Sequence, residues 1–472
     1  MKRVSMIVAY LLILTFAVTA CYPSLWFVSN SGSDKSDTSQ TTQSSETAAS
    51  DSSSVFPEST VTEESSETDS GTDTQLSTTQ TTSGTSSVTT ITKPTTSKKS
   101  TNSATTTTTK PDTGKEMRAV WVSYIELNSM LNGKTVAQAK AAIDGVMVNC
   151  KAYGLNAVIF HVRANSDAYY KSKVFSPAAS VKNLLNAGFD PLAYAVEAAH
   201  SRGLELHAWV NPYRIGTNKS FAKCNDYFES DGRYYYNPAS DDAQKLIISG
   251  VDEIVRNYKT DVVQFDDYFY PSNLKNLPND DYNKYKSDGG KMSVGDWRRT
   301  NVSKLIATVY KKVHSIRSGC VFGVSPRGVQ DQNYDVVYAD VALWMKEKGY
   351  IDYICPQVYF GFLHKTQAFD KNVDSWIAMP RHSSVRLYIG LALHKIGILN
   401  DQYAGTNAGK AEWAQHNDIM KRSLLSVRSN PECGGVMFFS YRYFTPASLT
   451  QSSWSRDVAI REGENLLTVM KP

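Results

Sequence analysis

From Arg118 onward the chain alternates short apolar runs with stretches of helical spacing. Eight runs read as strands buried on both faces. They are Arg118–Tyr124, Leu155–Val162, Leu204–Val210, a run starting near Asp261, Cys320–Pro326, Ile351–Tyr359, Arg386–Leu393 and Gly434–Tyr441. The polar-patterned stretches between them carry helix signals. Thr135 and Gln138 form a capping box, and Gly154 stops that helix. Asp190 caps the next helix, Pro191 opens it and Gly203 ends it. Ser240 caps a helix over Asp241–Tyr258. Further helices are expected near Gly295–Ser318, Val336–Lys348, Gln367–Met379, Lys410–Arg428 and Val458–Met470. Eight strands alternating with eight helices imply parallel pairing through right-handed crossovers, and eight such units close into a (β/α)8 TIM barrel. An open doubly wound sheet fits less well, because no Gly-rich phosphate turn follows the first strand.

Ahead of this alternation the pattern changes twice. Lys2 and Arg3 precede an apolar core over Ile7–Val18 that is too short and wrongly flanked to span a membrane, which is the pattern of an export signal. Small residues lead directly into Cys21, and "VTAC" resembles a bacterial lipobox. That resemblance implies cleavage after residue 20 and a lipid on the Cys21 sulfur; an ordinary secretory signal is the alternative. Residues 21–115 are dominated by Ser and Thr, with too few apolar side chains to offset the entropy of ordering. They are expected to form a disordered tether. The barrel occupies residues 116–472. The expected location is the bacterial cell surface, with the membrane reached through the lipid.

Composition narrows the function. A net charge of +4 over 472 residues gives no reason to expect a nucleic-acid partner. With Cys21 set aside, Cys150, Cys224, Cys320, Cys355 and Cys433 remain: an odd, widely spaced set with no CxxC pair, and so neither a disulfide framework nor a zinc site. No HExxH or comparable ligand spacing occurs, and neither a catalytic metal nor another cofactor is expected.

In a (β/α)8 barrel the active site lies at the C-terminal ends of the strands. Those ends are polar and aromatic here, whereas the strand bodies are apolar. In chain order they bring Tyr124 and Glu126; His161, Arg163, Asn165 and Asp167; Trp209, Asn211, Tyr213 and Arg214; Asp266, Asp267 and Tyr268; Ser325 and Arg327; Gln357 and Tyr359; His394; and Ser440, Tyr441 and Arg442. Such a rim suits a sugar, which offers hydroxyls to polar groups and C–H faces to rings.

"VVQFDDYFYP" (Val262–Pro271) sets two carboxylates side by side where the fourth strand leaves the core. Side chains alternate along a strand, so both cannot face the axis while it stays regular. Asp266 shares its face with Gln264 and is expected in the cleft. Asp267 then begins the loop, bonded to Arg163, Arg214 or Arg327 or to the substrate. Glycoside hydrolysis usually needs a second carboxyl across the bond. Glu126 is the first candidate and Asp167 the second. The alternative for Glu126 is a helix-entry or surface carboxylate, and for Asp266 a structural ion pair with a rim arginine. His161, taken alone, reads as a satisfied core histidine.

"MRAVWVSYIEL", "GLNAVIFHVRANSDAYY", "FDPLAYAVEAAHSRGLELHAWVNPYR", "VVQFDDYFYP", "FGVSPRGV" and "YICPQVYF" together resemble the glycosyl-hydrolase-like 10 family. The resemblance implies a bacterial glycosidase with a barrel fold that acts on an envelope or external polysaccharide, peptidoglycan glycan included. Its motifs place Arg163, Asn211, Arg214, Asp266, Asp267, Arg327, Gln357 and Tyr359 in the cleft. His161, Trp209 and Tyr268 join them as expected substrate contacts, and Asp266, Asp267 and Glu126 are the expected catalytic carboxyls. The chitinase pattern DxxDxDxE is absent. In "DVVQFDDY" Tyr268 stands where its catalytic Glu would be, which argues against substrate-assisted chemistry on that Glu. A non-catalytic carbohydrate-binding lipoprotein on the same scaffold is the rival expectation.

Overall fold

The structure, a computed structural model, describes residues 115–272, 281–445 and 453–471. The expected signal segment, Cys21 and nearly all of the Ser/Thr-rich tether lie outside the described residues. Eight parallel strands close into a barrel. The first five are Met117–Val122, Ala157–Arg163, Glu205–Val210, Val262–Phe265 and Val321–Val324. The sixth comes as two short pieces, Tyr353–Ile354 and Gln357–Val358; the seventh is Arg386–Leu391 and the eighth Cys433–Phe439. Each pairs in parallel with the next, and strand one pairs with strand eight to close the ring.

The two faces of each strand do different work. One face points to the helices and joins a large outer core that includes Val120, Phe160, Phe265, Phe322, Ile354 and Phe438. The other fills the barrel with Trp121, Ile159, Trp209, Tyr353, Tyr388 and Met437. Gln264 and His207 are buried polar side chains inside, and His207 lies against the Tyr353 ring. The Gln264 amide is bonded. The Trp121 indole N–H donates to its Oε1 at 2.7 Å, so the amide oxygen avoids the roughly 1–3 kcal/mol cost of an unmade buried hydrogen bond. Gly323 makes room for the Tyr353 ring, because a Cβ there would lie 2.1 Å from it.

Several elements depart from the sequence expectation. The sixth strand breaks at Cys355-Pro356, where proline has no N–H for the ladder. The helix expected near Lys410–Arg428 is two helices, Asn407–Gln415 and Ile419–Arg428. An unanticipated helix, Tyr124–Leu131, follows strand one immediately. After strand three the chain makes a three-stranded antiparallel excursion from Arg214–Gly216, Tyr227–Ser230 and Arg233–Tyr236 before its helix begins.

At the opposite end of the barrel, Glu116 stands just ahead of strand one. Arg118 contacts its carboxylate at 2.6 Å and Arg428 at 2.6 Å and 3.0 Å. Burial raises the Glu116 carboxyl, but the two arginines outweigh it and hold the group below the usual range.

Candidate active site

Strand four ends at Phe265, so the strict alternation of side chains ends one residue before the carboxylates. Asp266 and Asp267 then turn towards different neighbours. Asp266 is buried and accepts a hydrogen bond on Oδ2 from the Trp209 indole N–H at 3.0 Å, with the Tyr268 N–H at 3.4 Å from Oδ1. Asp267 is half-buried. Its Oδ1 accepts from Gln357 Nε2 at 3.2 Å, and its Oδ2 lies 3.5 Å from Arg327 Nε. One carboxyl therefore leans towards strand three and the other towards strands five and six. Of the three arginines expected to partner Asp267, Arg327 is the one that pairs with it.

These surroundings push the Asp266 carboxyl well above the usual carboxylate range. Burial is the main cause and the neighbouring Asp267 charge the second. The Trp209 and Tyr268 N–H groups and the Arg214 charge pull the other way. A buried carboxyl raised in this way is suited to donate a proton to a leaving oxygen.

The wall behind Asp266 is built in layers. Trp209 stacks on His161, with ring centroids 3.5 Å apart and planes 10° from parallel. His161 Nδ1 accepts from the Tyr124 backbone N–H at 3.2 Å, which leaves its proton on Nε2 to donate to Asn211 Oδ1 at 3.0 Å. Burial pushes this imidazole well below its usual range, so it is neutral. Asn211 in turn donates to the Ala164 carbonyl at 2.8 Å. Arg163 donates from Nη2 to the carbonyls of Asn211 and Pro212 at 2.5 Å and 2.6 Å, and its guanidinium lies over Phe175. His161, Arg163 and Asn211 are thus enclosed within the wall, each at most 1% exposed, and they fix Trp209 from behind.

Arg214 is also buried. Its guanidinium is flanked by the rings of Tyr124, at 5.6 Å, and Tyr268, at 5.1 Å. Arg327 donates to Ser272 Oγ at 2.7 Å as well as facing Asp267. The chain after Arg327 crosses close to strand six. A Cβ on Gly328 would stand 2.4 Å from the Gln357 carbonyl oxygen, so glycine is what lets Arg327 and Gln357 reach Asp267 together.

The opposite side is aromatic. Tyr359 stacks on Phe439 at 5.7 Å, and His394 meets both rings edge-on at 5.0 Å and 5.3 Å. Phe439 also contacts Trp209 and Trp121. Phe439 was not among the residues singled out from sequence. In "GVMFFSY" the alternation puts Phe438 outward and Phe439 inward, and that pattern carried the signal.

Glu126 is not free at the rim. It occupies the third position of the helix Tyr124–Leu131, where its carboxylate reaches back to the Ser123 N–H at 2.5 Å. Its other oxygen accepts from Ser440 Oγ at 2.9 Å and from the Arg442 N–H at 2.7 Å. The group expected across the bond from Asp266 is a buried clamp between the strand-one helix and the turn after strand eight. Asp167 begins a two-residue pairing with Ser176–Pro177. Burial raises its carboxyl, against the pull of the Arg163 and Arg214 charges.

The family model for glycosyl hydrolase-like 10 matches residues 116–405. The chain belongs to this family. The chain is 32% identical over 393 residues to the glycosyl hydrolase YngK of Bacillus subtilis (strain 168), covering 73% of this chain and 75% of that one. It is 30% identical over 392 residues to the glycosyl hydrolase DigH of Escherichia coli (strain K12), covering 72% and 87%. The glycosyl hydrolase-like 10 barrel also superposes on the PgaB (BpsB) glycoside hydrolase domain from Bordetella bronchiseptica. The TM-score is 0.52 at 11% identity over 76% of this chain and 99% of that one, a likeness of fold. The family match reaches the loop after strand seven, while Phe439 and Ser440 come from strand eight and its end, beyond it.

Proposed function

We propose that this protein is a glycoside hydrolase of the bacterial cell surface, tethered through a lipid at Cys21 and acting on an envelope polysaccharide, with peptidoglycan glycan strands as the leading substrate. The observation that carries this reading is the buried Asp266 carboxyl, held by Trp209 beside Asp267 at the end of strand four. It supplies a proton donor at a rim walled by Trp209, Tyr359 and Phe439, which suits a sugar ring. The relatives named as glycosyl hydrolases support it. In this reading Asp266 protonates the leaving oxygen, while Arg327 and Gln357 orient Asp267.

Purified glycan strands, with and without stem peptides, test it. Incubation with the protein should give shorter glycans by mass, and Asp266→Asn should lower the rate at least about 10²-fold while leaving binding nearly unchanged. Intact strands after incubation with the wild-type protein would sink the proposal. A non-catalytic carbohydrate-binding role is the second reading. One observation favours it: Glu126 is consumed by its clamp, so strand one offers no free carboxyl across the cleft. That reading predicts glycan binding without any shortening.

A further inference from the structure

Enzymes that hydrolyse glycosides with two protein carboxyls set them on opposite sides of the bond, about 5–9.5 Å apart. The pair at the end of strand four is arranged differently. The two carboxyls at the centre of the rim are sequence neighbours, leaving the same strand end and turned towards different walls. The carboxyl expected across the cleft, Glu126, accepts three hydrogen bonds from the protein itself. A neighbouring pair of this kind reaches two adjacent positions on one sugar ring more readily than two faces of one bond. In such a pair one group can meet the glycosidic oxygen on C1 while the other meets the substituent on C2.

The bonding of Asp267 fits the second position. Gln357 and Arg327 approach one oxygen each, which leaves lone pairs on both oxygens of a half-buried carboxylate. A carboxylate oriented in this way accepts an N–H, and an amide on C2 of the sugar supplies one. Such an amide also carries a carbonyl oxygen within reach of C1.

We infer that the nucleophile is the substrate's own 2-acetamido group, and that the substrate class is a 1,2-trans-linked 2-acetamido-2-deoxy glycoside. This rests on the glycosidase reading above and specifies its mechanism. In the first step the acetamido carbonyl oxygen bonds to C1 as the bond from C1 to the leaving oxygen breaks. The leaving oxygen takes the proton of Asp266. The ring-fused oxazolinium so formed is positive at its N–H, and Asp267 accepts that N–H and balances the charge. In the second step water adds to C1 and returns a proton to Asp266. The bond between C1 and the carbonyl oxygen breaks, and the acetamide is restored. Two displacements at C1 retain the anomeric configuration. The chemistry needs no third carboxyl, and it uses the Asp pair where the chitinase pattern would use its Glu.

The test uses glycan strands that are chemically N-deacetylated and then re-acylated with either acetyl or trifluoroacetyl groups. Fluorine withdraws electron density from the carbonyl oxygen. If that oxygen attacks C1, re-acetylated strands are cleaved and the trifluoroacetyl strands react at least about 10²-fold more slowly, as a transition-state effect. Proton NMR of the first product should show the retained anomer. Asp267→Asn should lower kcat on re-acetylated strands with little change in KM, and should flatten the difference between the two acyl groups. Equal rates on both acyl forms, or an inverted product, would overturn the inference and leave the hydrolase reading standing. So would an inactive Asp167→Asn variant that azide rescues with formation of a glycosyl azide, because Asp167 would then be the second carboxyl. Failure to cleave the re-acetylated strands at all would overturn both readings.

Discussion

The indole N–H of Trp209 points at Asp266 Oδ2 across 3.0 Å, joining the last residues of strand three to the end of strand four. This bond favours the ionised carboxyl and opposes the burial and the Asp267 charge that favour the neutral one. A general acid works in its protonated form, so activity is lost as pH rises through its pKa. In Trp209→Phe the ring remains and the donor is gone, so the Asp266 carboxyl rises further. The alkaline limb of the pH–rate profile should move to higher pH, and the rate at the optimum should fall about 10-fold as the carboxyl loses its orientation. A limb that stays in place or moves down would assign that ionisation to another group.

Glu126→Gln separates a structural clamp from a catalytic group. The amide nitrogen cannot accept, so at least one of the Ser123 N–H, the Arg442 N–H and Ser440 Oγ loses its bond. A loss of about 1–3 kcal/mol follows, seen as a lower urea midpoint. Turnover per folded molecule should stay within a few-fold of wild type. A folded variant with 10²-fold lower turnover would restore Glu126 to the chemistry.

Glu462 supplies a pH dependence unrelated to the site. It lies buried in the helix Arg456–Leu467, and the backbone N–H of Met420 donates to it. Burial pushes its carboxyl from about 4.5 up to about 7, against the pull of the backbone N–H groups of Met420 and Ile419. The folded state thus holds a proton that the unfolded chain releases near 4.5. The stability this confers is fully present below that pH and is lost as pH rises to about 7, on the order of 3 kcal/mol in all. Denaturant titrations from pH 4 to 8 on wild type and Glu462→Gln should show this falling component in the first and not in the second. Parallel curves for the two would count against it.

Cys21→Ser removes the sulfur on which the proposed lipid would be attached. The variant should lose lipid labelling and leave the membrane fraction, either as soluble protein or as unprocessed precursor. Undiminished labelling would contradict the anchor.

The strand order and the rim were legible because buried parallel strands are written as apolar runs, and each run here ends in polar or aromatic residues. The role of Glu126 was legible too, but in a different code. Ser123 and Glu126 stand three residues apart directly after a strand, which is the capping-box spacing, and the helix they open was passed over. The disposition of the aspartates was harder to see. Alternation holds only while a strand is paired, and strand four stops at Phe265, one residue earlier than the argument from alternation assumed. His161, taken alone, read as a satisfied core histidine, and only its stack against Trp209 shows that this buried ring backs the rim. Nothing local in the sequence brings Phe439 to Trp209 or Arg327 and Gln357 to Asp267, since those meetings depend on closure of the ring.

Glu116, clasped by Arg118 and Arg428, has a consequence for how the barrel is presented. Strand one starts at the floor and every strand runs towards the mouth, so Glu116 and its clasp lie at the end of the barrel opposite Asp266. A force applied at residue 115 would load the two arginine contacts of Glu116 as well as the first strand.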